Sequence, residues 1–169
     1  MLANRIKKGD TIGIVRTSEA LTKERKIEID SATEFLENLG LKVEFGKYLD
    51  ANELGYDTSA ENKAKEINKM FSDKNITAIF CACGGENVNG VYEYLDFENI
   101  KRNPKIICGY SDPTSLINAI YLKTGLVTFQ GPNFTSLSEE FKGESEYTRR
   151  EFIGRFSDGG LKLESKQDE

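Results

Sequence analysis

The strongest strand prediction in the chain falls on Ile76-Thr77-Ala78-Ile79-Phe80-Cys81-Ala82-Cys83, which runs directly into Gly84-Gly85. This segment is almost continuously apolar, as is typical of a parallel strand that is covered on both faces. Further segments with strand-like patterns are shorter and lie at residues 11–15, 41–45, 106–108 and 126–129. We therefore predict that all of these segments belong to one sheet.

Helical patterns separate the predicted strands. Apolar residues recur at intervals of three and four over residues 22–39 and again over 59–71, where Ser59 is the predicted N-cap. A short helix is predicted at 89–95 and a longer one at 112–123. This alternation predicts an α/β fold of the flavodoxin-like, three-layer kind, with a mostly parallel sheet between helices. Ligands of such sheets bind at the carboxyl ends of the strands.

Composition narrows the classes of function. The chain has 169 residues, of which 38% are hydrophobic and 30% charged, as expected of one globular domain. Its net charge of -5 argues against a nucleic-acid partner. No apolar run reaches the roughly 18 residues that span a bilayer, and no secretory signal is evident at the start. We therefore expect no membrane partner and a cytoplasmic location.

Histidine is absent from the sequence. This composition excludes a histidine-ligated metal centre and a complete Ser-His-Asp triad within the chain, so we expect neither a metal nor a cofactor. The cysteines number three, and without an export signal they do not suggest a disulfide framework. Packing in the core is the favoured role for Cys81 and Cys83, ahead of a redox or metal role.

The loop with the most chemical information is Cys108-Gly109-Tyr110-Ser111-Asp112-Pro113-Thr114. It places Ser111 in a tight turn between a predicted strand and a predicted helix. A hydroxyl there would face the first N–H groups of the helix, which stabilise the negative charge that develops in acyl transfer. The arrangement resembles the nucleophile elbow of G-x-S-x-G hydrolases, with Pro113 at the last position. Spacing alone favours the interpretation that Ser111 is a helix cap, which is the commoner role.

The glycine pair Gly84-Gly85 follows the strongest strand and has two interpretations. It could present a backbone N–H as a second oxyanion donor beside Ser111, or it could simply turn the chain into the next helix. A phosphate loop is excluded, because the Gly-Lys-Ser/Thr ending is missing and Glu86 would repel phosphate.

A serine nucleophile also needs a base. Lys123 lies twelve positions along the same predicted helix as Ser111, about 18 Å away at 1.5 Å per residue. Lys105 is predicted at the opposite end of its strand. The base must therefore come from outside these residues.

Two longer segments resemble a known family. They are 103–114, Asn-Pro-Lys-Ile-Ile-Cys-Gly-Tyr-Ser-Asp-Pro-Thr, and 121–132, Tyr-Leu-Lys-Thr-Gly-Leu-Val-Thr-Phe-Gln-Gly-Pro. Both are similar to the LD-carboxypeptidase family of serine peptidases. The glycine pair with Asn87 and Asn89 resembles the branch related to the microcin C self-immunity carboxypeptidase. Val88 departs from that branch, which usually has a serine there.

The resemblance implies a serine carboxypeptidase that cleaves a carboxy-terminal peptide or amide bond through an acyl-enzyme. Ser111 would be the nucleophile, and the backbone N–H groups of Asp112 and Gly85 would form the oxyanion hole. The substrate-binding residues would be Gly84, Glu86 and Asn87. The substrate would be peptide-like, either a muropeptide or a peptidyl-nucleotide, and a homodimer is possible.

The proteins of the family that this chain resembles have two domains. Residues 1–156 would form the α/β nucleophile domain, and 157–169 a linker or tail toward a carboxy-terminal domain that supplies the glutamate and histidine of the triad. The chain alone is therefore expected to be inactive. The alternatives are a catalytically inactive domain of the same fold that binds peptides or a partner and, ranked last, a small-molecule binding function on this scaffold.

Overall fold

A five-stranded parallel sheet with the order β2-β1-β3-β4-β5 forms the centre of the computed structural model, which describes residues 1–52, 54, 58–141 and 145–157. Its strands are β1 Thr11–Val15, β2 Lys42–Phe45, β3 Ile76–Cys81, β4 Ile106–Gly109 and β5 Phe129–Gln130. The central strands are buried on both faces because helices cover each side of the sheet. The α/β prediction with a mostly parallel sheet is confirmed.

The helices are α1 Lys26–Asn38, α2 Ala60–Ser72, α3 Phe97–Arg102, α4 Pro113–Thr124 and α5 Ser145–Phe156. Short 3₁₀ segments lie at Lys23–Arg25, Val88–Tyr94 and Phe134–Leu137. One layer contains α2, α3, α4 and the segment Val88–Tyr94, which contact one another, and the other contains α1, α5 and the segment Phe134–Leu137. No helix among the described residues is both long and apolar enough to cross a membrane.

Several boundaries follow the predictions closely. Strand β1 has the predicted bounds, and Ser59 caps α2 by accepting a hydrogen bond from the N–H of Asn62 at 3.1 Å. The predicted last strand at 126–129 is wrong in its first part, since β5 begins only at Phe129. The reason is that the N–H of Val127 donates to the carbonyl of Met1 at 2.7 Å and not to the sheet.

Helices α3 and α5 were not predicted. Helix α5 packs on the sheet through Phe152 and Phe156, both of which contact the ring of Phe80. The carbonyl of Phe156 also accepts a hydrogen bond from the N–H of Ile6 at 2.7 Å. Helix α5 ends at Phe156, and the domain boundary at 156 stays a prediction. Of the predicted linker 157–169, only Ser157 lies within the described residues.

Candidate active site

Loops from three strands meet at the carboxyl edge of the sheet. The loop after β1 contacts the loop after β3, because the N–H of Glu19 donates to the carbonyl of Gly84 at 3.3 Å. The loop after β4 is equally close, since a methyl group placed on Gly84 would lie 3.3 Å from Oγ of Ser111. The predicted glycine pair and the predicted serine are therefore neighbours at the edge where ligands of parallel sheets bind.

Ser111 has a left-handed backbone conformation with a φ of 66°, and it is the only described non-glycine residue with a positive φ. Its side chain is exposed, and its hydroxyl has no hydrogen-bond partner in the described part of the chain. The N-cap position of α4 belongs to Asp112, and Pro113 is the first helical residue. The helix-cap interpretation of Ser111 is therefore wrong, and the turn has the form of a nucleophile elbow.

Gly85 has a φ of 154°, a conformation that residues with a side chain rarely adopt. A methyl group here would lie 2.6 Å from Cβ of Ser18 and 2.8 Å from the backbone nitrogen of Glu19. Close packing against the loop after β1 therefore requires glycine.

The N–H groups of Gly85 and Asp112 have no acceptor among the described residues. Backbone donors without a partner, beside an exposed hydroxyl, are what an oxyanion hole requires. They remain predicted oxyanion donors.

The side chain of Asp112 has a role that the sequence analysis missed. Its Oδ2 accepts a hydrogen bond from the hydroxyl of Ser18 and a second one, at 2.9 Å, from the N–H of Val88. The carboxylate thus joins the loop after β1 to the loop after β3. These partners lie 94 and 24 positions away in the sequence, so no local pattern indicates them.

Asn133 is a second residue that was missed. Its buried side-chain amide accepts from the N–H of Tyr110 at 3.1 Å and donates to the carbonyl of Tyr110 at 3.3 Å. The amide therefore pairs with the residue before Ser111 as a neighbouring strand would. The available signal was its place directly after Gly131-Pro132, in the loop after β5.

The predicted substrate-binding residues differ in their surroundings. Glu86 is exposed at the edge of the glycine loop. The side chain of Asn87 is held by α2, since its Oδ1 accepts from Nζ of the buried Lys63 at 2.8 Å. Their role in binding substrate stays a prediction.

The lysines lie where the sequence analysis placed them. Nζ of Lys105 donates to the carbonyls of Met70 and Asp73, at the end of α2 that is remote from the glycine pair. Lys123 occupies the last turn of α4, whereas Ser111 precedes its first turn. Neither can act as the base for Ser111.

The cysteines are free and buried. Burial raises the pKa of Cys81 to about 12, and it also raises the pKa of Cys83 and of Cys108 above the ordinary thiol value. Burial in the core agrees with the packing role that the sequence predicts for Cys81 and Cys83.

Ser111 does not line the cavity beside β5. This cavity has a volume of about 770 Å³ and lies between β5 and α5, with Tyr110 on its wall next to Gln130, Tyr147 and Phe156. Its lining offers no nucleophile paired with a base. The chemistry therefore points to the loop edge at Ser111 and not to this cavity.

Comparison with known proteins identifies a family and several relatives. Residues 12–131 match the family model described as the LD-carboxypeptidase N-terminal domain. The Bacillus subtilis (strain 168) protein named "Putative carboxypeptidase YocD" is 42% identical over 158 residues, which are 90% of this chain and 46% of the relative. The Escherichia coli "Microcin C7 self-immunity protein MccF" is 39% identical over 132 residues, which are 78% of this chain and 38% of the relative.

Solved structures show the same fold. The crystal structure of an MccF-like protein from Bacillus anthracis str. Ames is 39% identical and has a TM-score of 0.86 over 93% of this chain and 47% of its own. A structure of MccF in complex with aspartyl sulfamoyl adenosine has a TM-score of 0.87 at 34% identity, over 95% of this chain and 48% of its own. The chain spans less than half the length of these relatives. From its loops, its sheet and these matches together, we conclude that the chain belongs to the LD-carboxypeptidase family of peptidases, whose N-terminal domain it contains.

Proposed function

We propose that this chain is the nucleophile domain of a serine carboxypeptidase and that Ser111 forms the acyl-enzyme. The main support is the conformation of Ser111, which holds a free, exposed hydroxyl at the start of α4 and beside Gly84. A strained backbone at an exposed serine is typical of a nucleophile elbow, where the turn costs stability and serves the reaction.

The reaction would proceed by acyl transfer. Oγ of Ser111 attacks the carbonyl carbon of the carboxy-terminal peptide or amide bond, while a base removes the hydroxyl proton. The negative oxygen of the tetrahedral intermediate accepts hydrogen bonds from the free N–H groups of Asp112 and Gly85. The amine then leaves with a proton from the protonated base, and water hydrolyses the ester on Ser111.

The base must be supplied from outside these residues. The sequence has no histidine, and Lys105 and Lys123 lie away from Ser111. We infer that a glutamate and a histidine come from a carboxy-terminal domain, since the relatives are more than twice as long as their matched parts. Loss of triad partners typically lowers turnover by about 10⁴ to 10⁶, so the isolated chain should be inactive.

The proposed substrate is a peptide-like molecule with a free carboxy-terminal residue. MccF structures contain aspartyl sulfamoyl adenosine and glutamyl sulfamoyl guanosine, and a Bacillus subtilis relative is named as a murein peptide carboxypeptidase. By analogy, the substrate is a peptidyl-nucleotide or a muropeptide. Contacts from Gly84, Glu86 and Asn87 to this substrate, a cytoplasmic location and a homodimer are further predictions.

A serine-directed fluorophosphonate tests the proposal. We expect labelling of Ser111, mapped by mass spectrometry, when the chain is mixed with the carboxy-terminal part of the Bacillus subtilis relative YocD that lies outside the match. We expect no labelling when the chain is treated alone. Ser111→Ala should abolish the signal. Ser115→Ala, which removes a hydroxyl one turn further along, should leave it intact. No labelling in either condition would favour the alternative, a catalytically inactive domain that binds peptides or a partner.

A further inference from the structure

We propose that the side chain of Asp112 positions the oxyanion hole, in addition to the N–H that the same residue contributes. This inference rests on the proposed function of Ser111 and concerns how its two oxyanion donors are held at a fixed separation. One donor belongs to Asp112 itself, whereas the other belongs to Gly85 on a different loop. Something must tie these loops together, because a displacement of about 1 Å is enough to slow catalysis considerably.

One hydrogen bond joins the side chain of Asp112 to the glycine loop. Oδ2 of Asp112 accepts from the N–H of Val88 at 2.9 Å, and Val88 is fully buried three residues after Gly85. A hydrogen bond to a charged acceptor is shorter and stronger than one between neutral groups. It therefore fixes the end of the glycine loop to the start of α4.

A second hydrogen bond joins this side chain to the loop after β1. The same Oδ2 accepts from the hydroxyl of Ser18, a fully buried residue. Ser18 in turn supports Gly85, since a methyl group on Gly85 would lie 2.6 Å from Cβ of Ser18. The neighbouring Glu19 holds the carbonyl of Gly84 through its own N–H at 3.3 Å. The glycine pair is thus fixed on both sides, and Asp112 is connected to each side.

The side chain suits this position because a carboxylate only accepts hydrogen bonds. Its oxygen can receive the two donors together, and this arrangement orients the Ser18 hydroxyl. Asparagine has the same shape and keeps one acceptor oxygen, so it can receive both bonds without the charge. Alanine removes both bonds and would leave the buried N–H of Val88 without a partner, which is costly.

The experiment compares Asp112→Ala with Asp112→Asn in the full 169-residue chain. Amide hydrogen exchange reports on residues 84–88, and fluorophosphonate labelling, with the carboxy-terminal part in trans, reports on Ser111. For D112A we expect exchange at Val88 to become at least about tenfold faster and labelling to fall about 10²-fold, as for the loss of one oxyanion donor. D112N should restore exchange at Val88, and labelling to within about threefold of wild type.

A matched control is Asp96→Ala. Asp96 also accepts from a backbone N–H, that of Asn99 at 2.8 Å, but it lies at the start of α3. D96A should speed exchange at Asn99 without reducing the labelling of Ser111. This control separates a general loss of stability from an effect on the oxyanion hole.

The outcomes are distinct. Unchanged exchange and labelling in D112A would overturn the inference. Equal loss in D112A and D112N would also overturn it, because a side chain that can keep both hydrogen bonds would then hold residues 84–88 no better than one that lacks them. If wild type never labels while D112A loosens residues 84–88 and D112N restores them, the proposed function fails, and Asp112 then holds the glycine loop without an oxyanion hole to position.

Discussion

Ser111 adopts a backbone conformation that the protein must maintain against a cost. A non-glycine residue in the left-handed region is less stable by about 1–2 kcal/mol than in an ordinary conformation. The neighbours compensate for this cost, since Asn133 holds both backbone groups of Tyr110 and Pro113 fixes the start of α4. The strained backbone of Ser111 and the contacts that support it therefore act together to keep the hydroxyl exposed.

This strain gives a test by substitution. Ser111→Gly and Ser111→Ala both remove the hydroxyl, but only glycine relieves the positive φ of 66°. We expect S111G to be more stable than S111A by about 1 kcal/mol in urea unfolding. At Ser115, inside α4, the order should be reversed, with Ser115→Ala more stable than Ser115→Gly by about 1 kcal/mol. The same order at both positions would argue against strain at Ser111.

The sequence predicted the position of Ser111 in a turn but not how it is held. The spacing of Gly109, Ser111 and Pro113 is local, and local spacing is what a sequence pattern reports. Asp112 and Asn133 act on partners from 23 to 94 positions away, and those contacts exist only after the sheet has formed. The helix-cap interpretation of Ser111 likewise could be excluded only once the structure placed Asp112 at the N-cap of α4.

At the scale of elements, Lys105 joins the end of α2 to the start of β4. Its buried ammonium donates to the carbonyl of Met70 at 2.6 Å and to that of Asp73. Carbonyls at a helix end lack partners within the helix, and a cation there is favourable to the helix dipole. Burial opposes this benefit and lowers the pKa of Lys105 to about 8.

The lowered pKa predicts how stability depends on pH. Between about 8 and the ordinary 10.5, the unfolded chain binds the proton that the folded chain has released. The free energy of unfolding therefore rises with pH through this window, and below it the cost of burying the charge is fully present. Relative to Lys105→Met, wild type should gain about 1–3 kcal/mol from pH 7 to 10.5 in urea unfolding. A constant difference would contradict a lowered pKa.

The elements that were predicted best are those with a strong pattern of their own. Strand β1 is continuously apolar, and α2 has a cap at Ser59 and a regular apolar face. Helix α5 has no such pattern. Its segment is largely polar, and its buried residues include Phe152 and Phe156. Contacts with the sheet, and not the local sequence, account for its position.

At the scale of the molecule, aromatic rings connect α5 to the sheet. The centroid of the Phe156 ring lies 5.5 Å from the ring centroid of Phe80 in β3, 5.1 Å from that of Phe129 in β5 and 5.6 Å from that of Phe152. The contacts with Phe80 and Phe129 are edge-on, and aromatic contacts of this kind contribute beyond the area they bury. The cluster thus joins the last described helix to a central strand and to the edge of the sheet.

Removing this ring should lower the stability of the whole domain. We expect Phe156→Ala to reduce the free energy of unfolding by about 3–5 kcal/mol, because it leaves a cavity in a packed cluster. Tyr121→Ala, at a side chain that is 52% exposed on α4, should change it by less than about 0.5 kcal/mol. Thermal or urea unfolding of the two variants measures the difference. If the two substitutions changed the free energy of unfolding by similar amounts, α5 would not be an integral part of the core.

The side chain that holds the backbone of Tyr110 belongs to Asn133, which is synthesised later than the turn at Ser111. Synthesis proceeds from the amino terminus, so a nascent chain that has just completed Ser111 still lacks the side chain that pairs with Tyr110. Both hydrogen bonds to Tyr110 can form only once translation has passed Asn133. An unfinished polypeptide that stops short of Asn133 therefore leaves the backbone of Tyr110, next to Ser111, without these two hydrogen bonds.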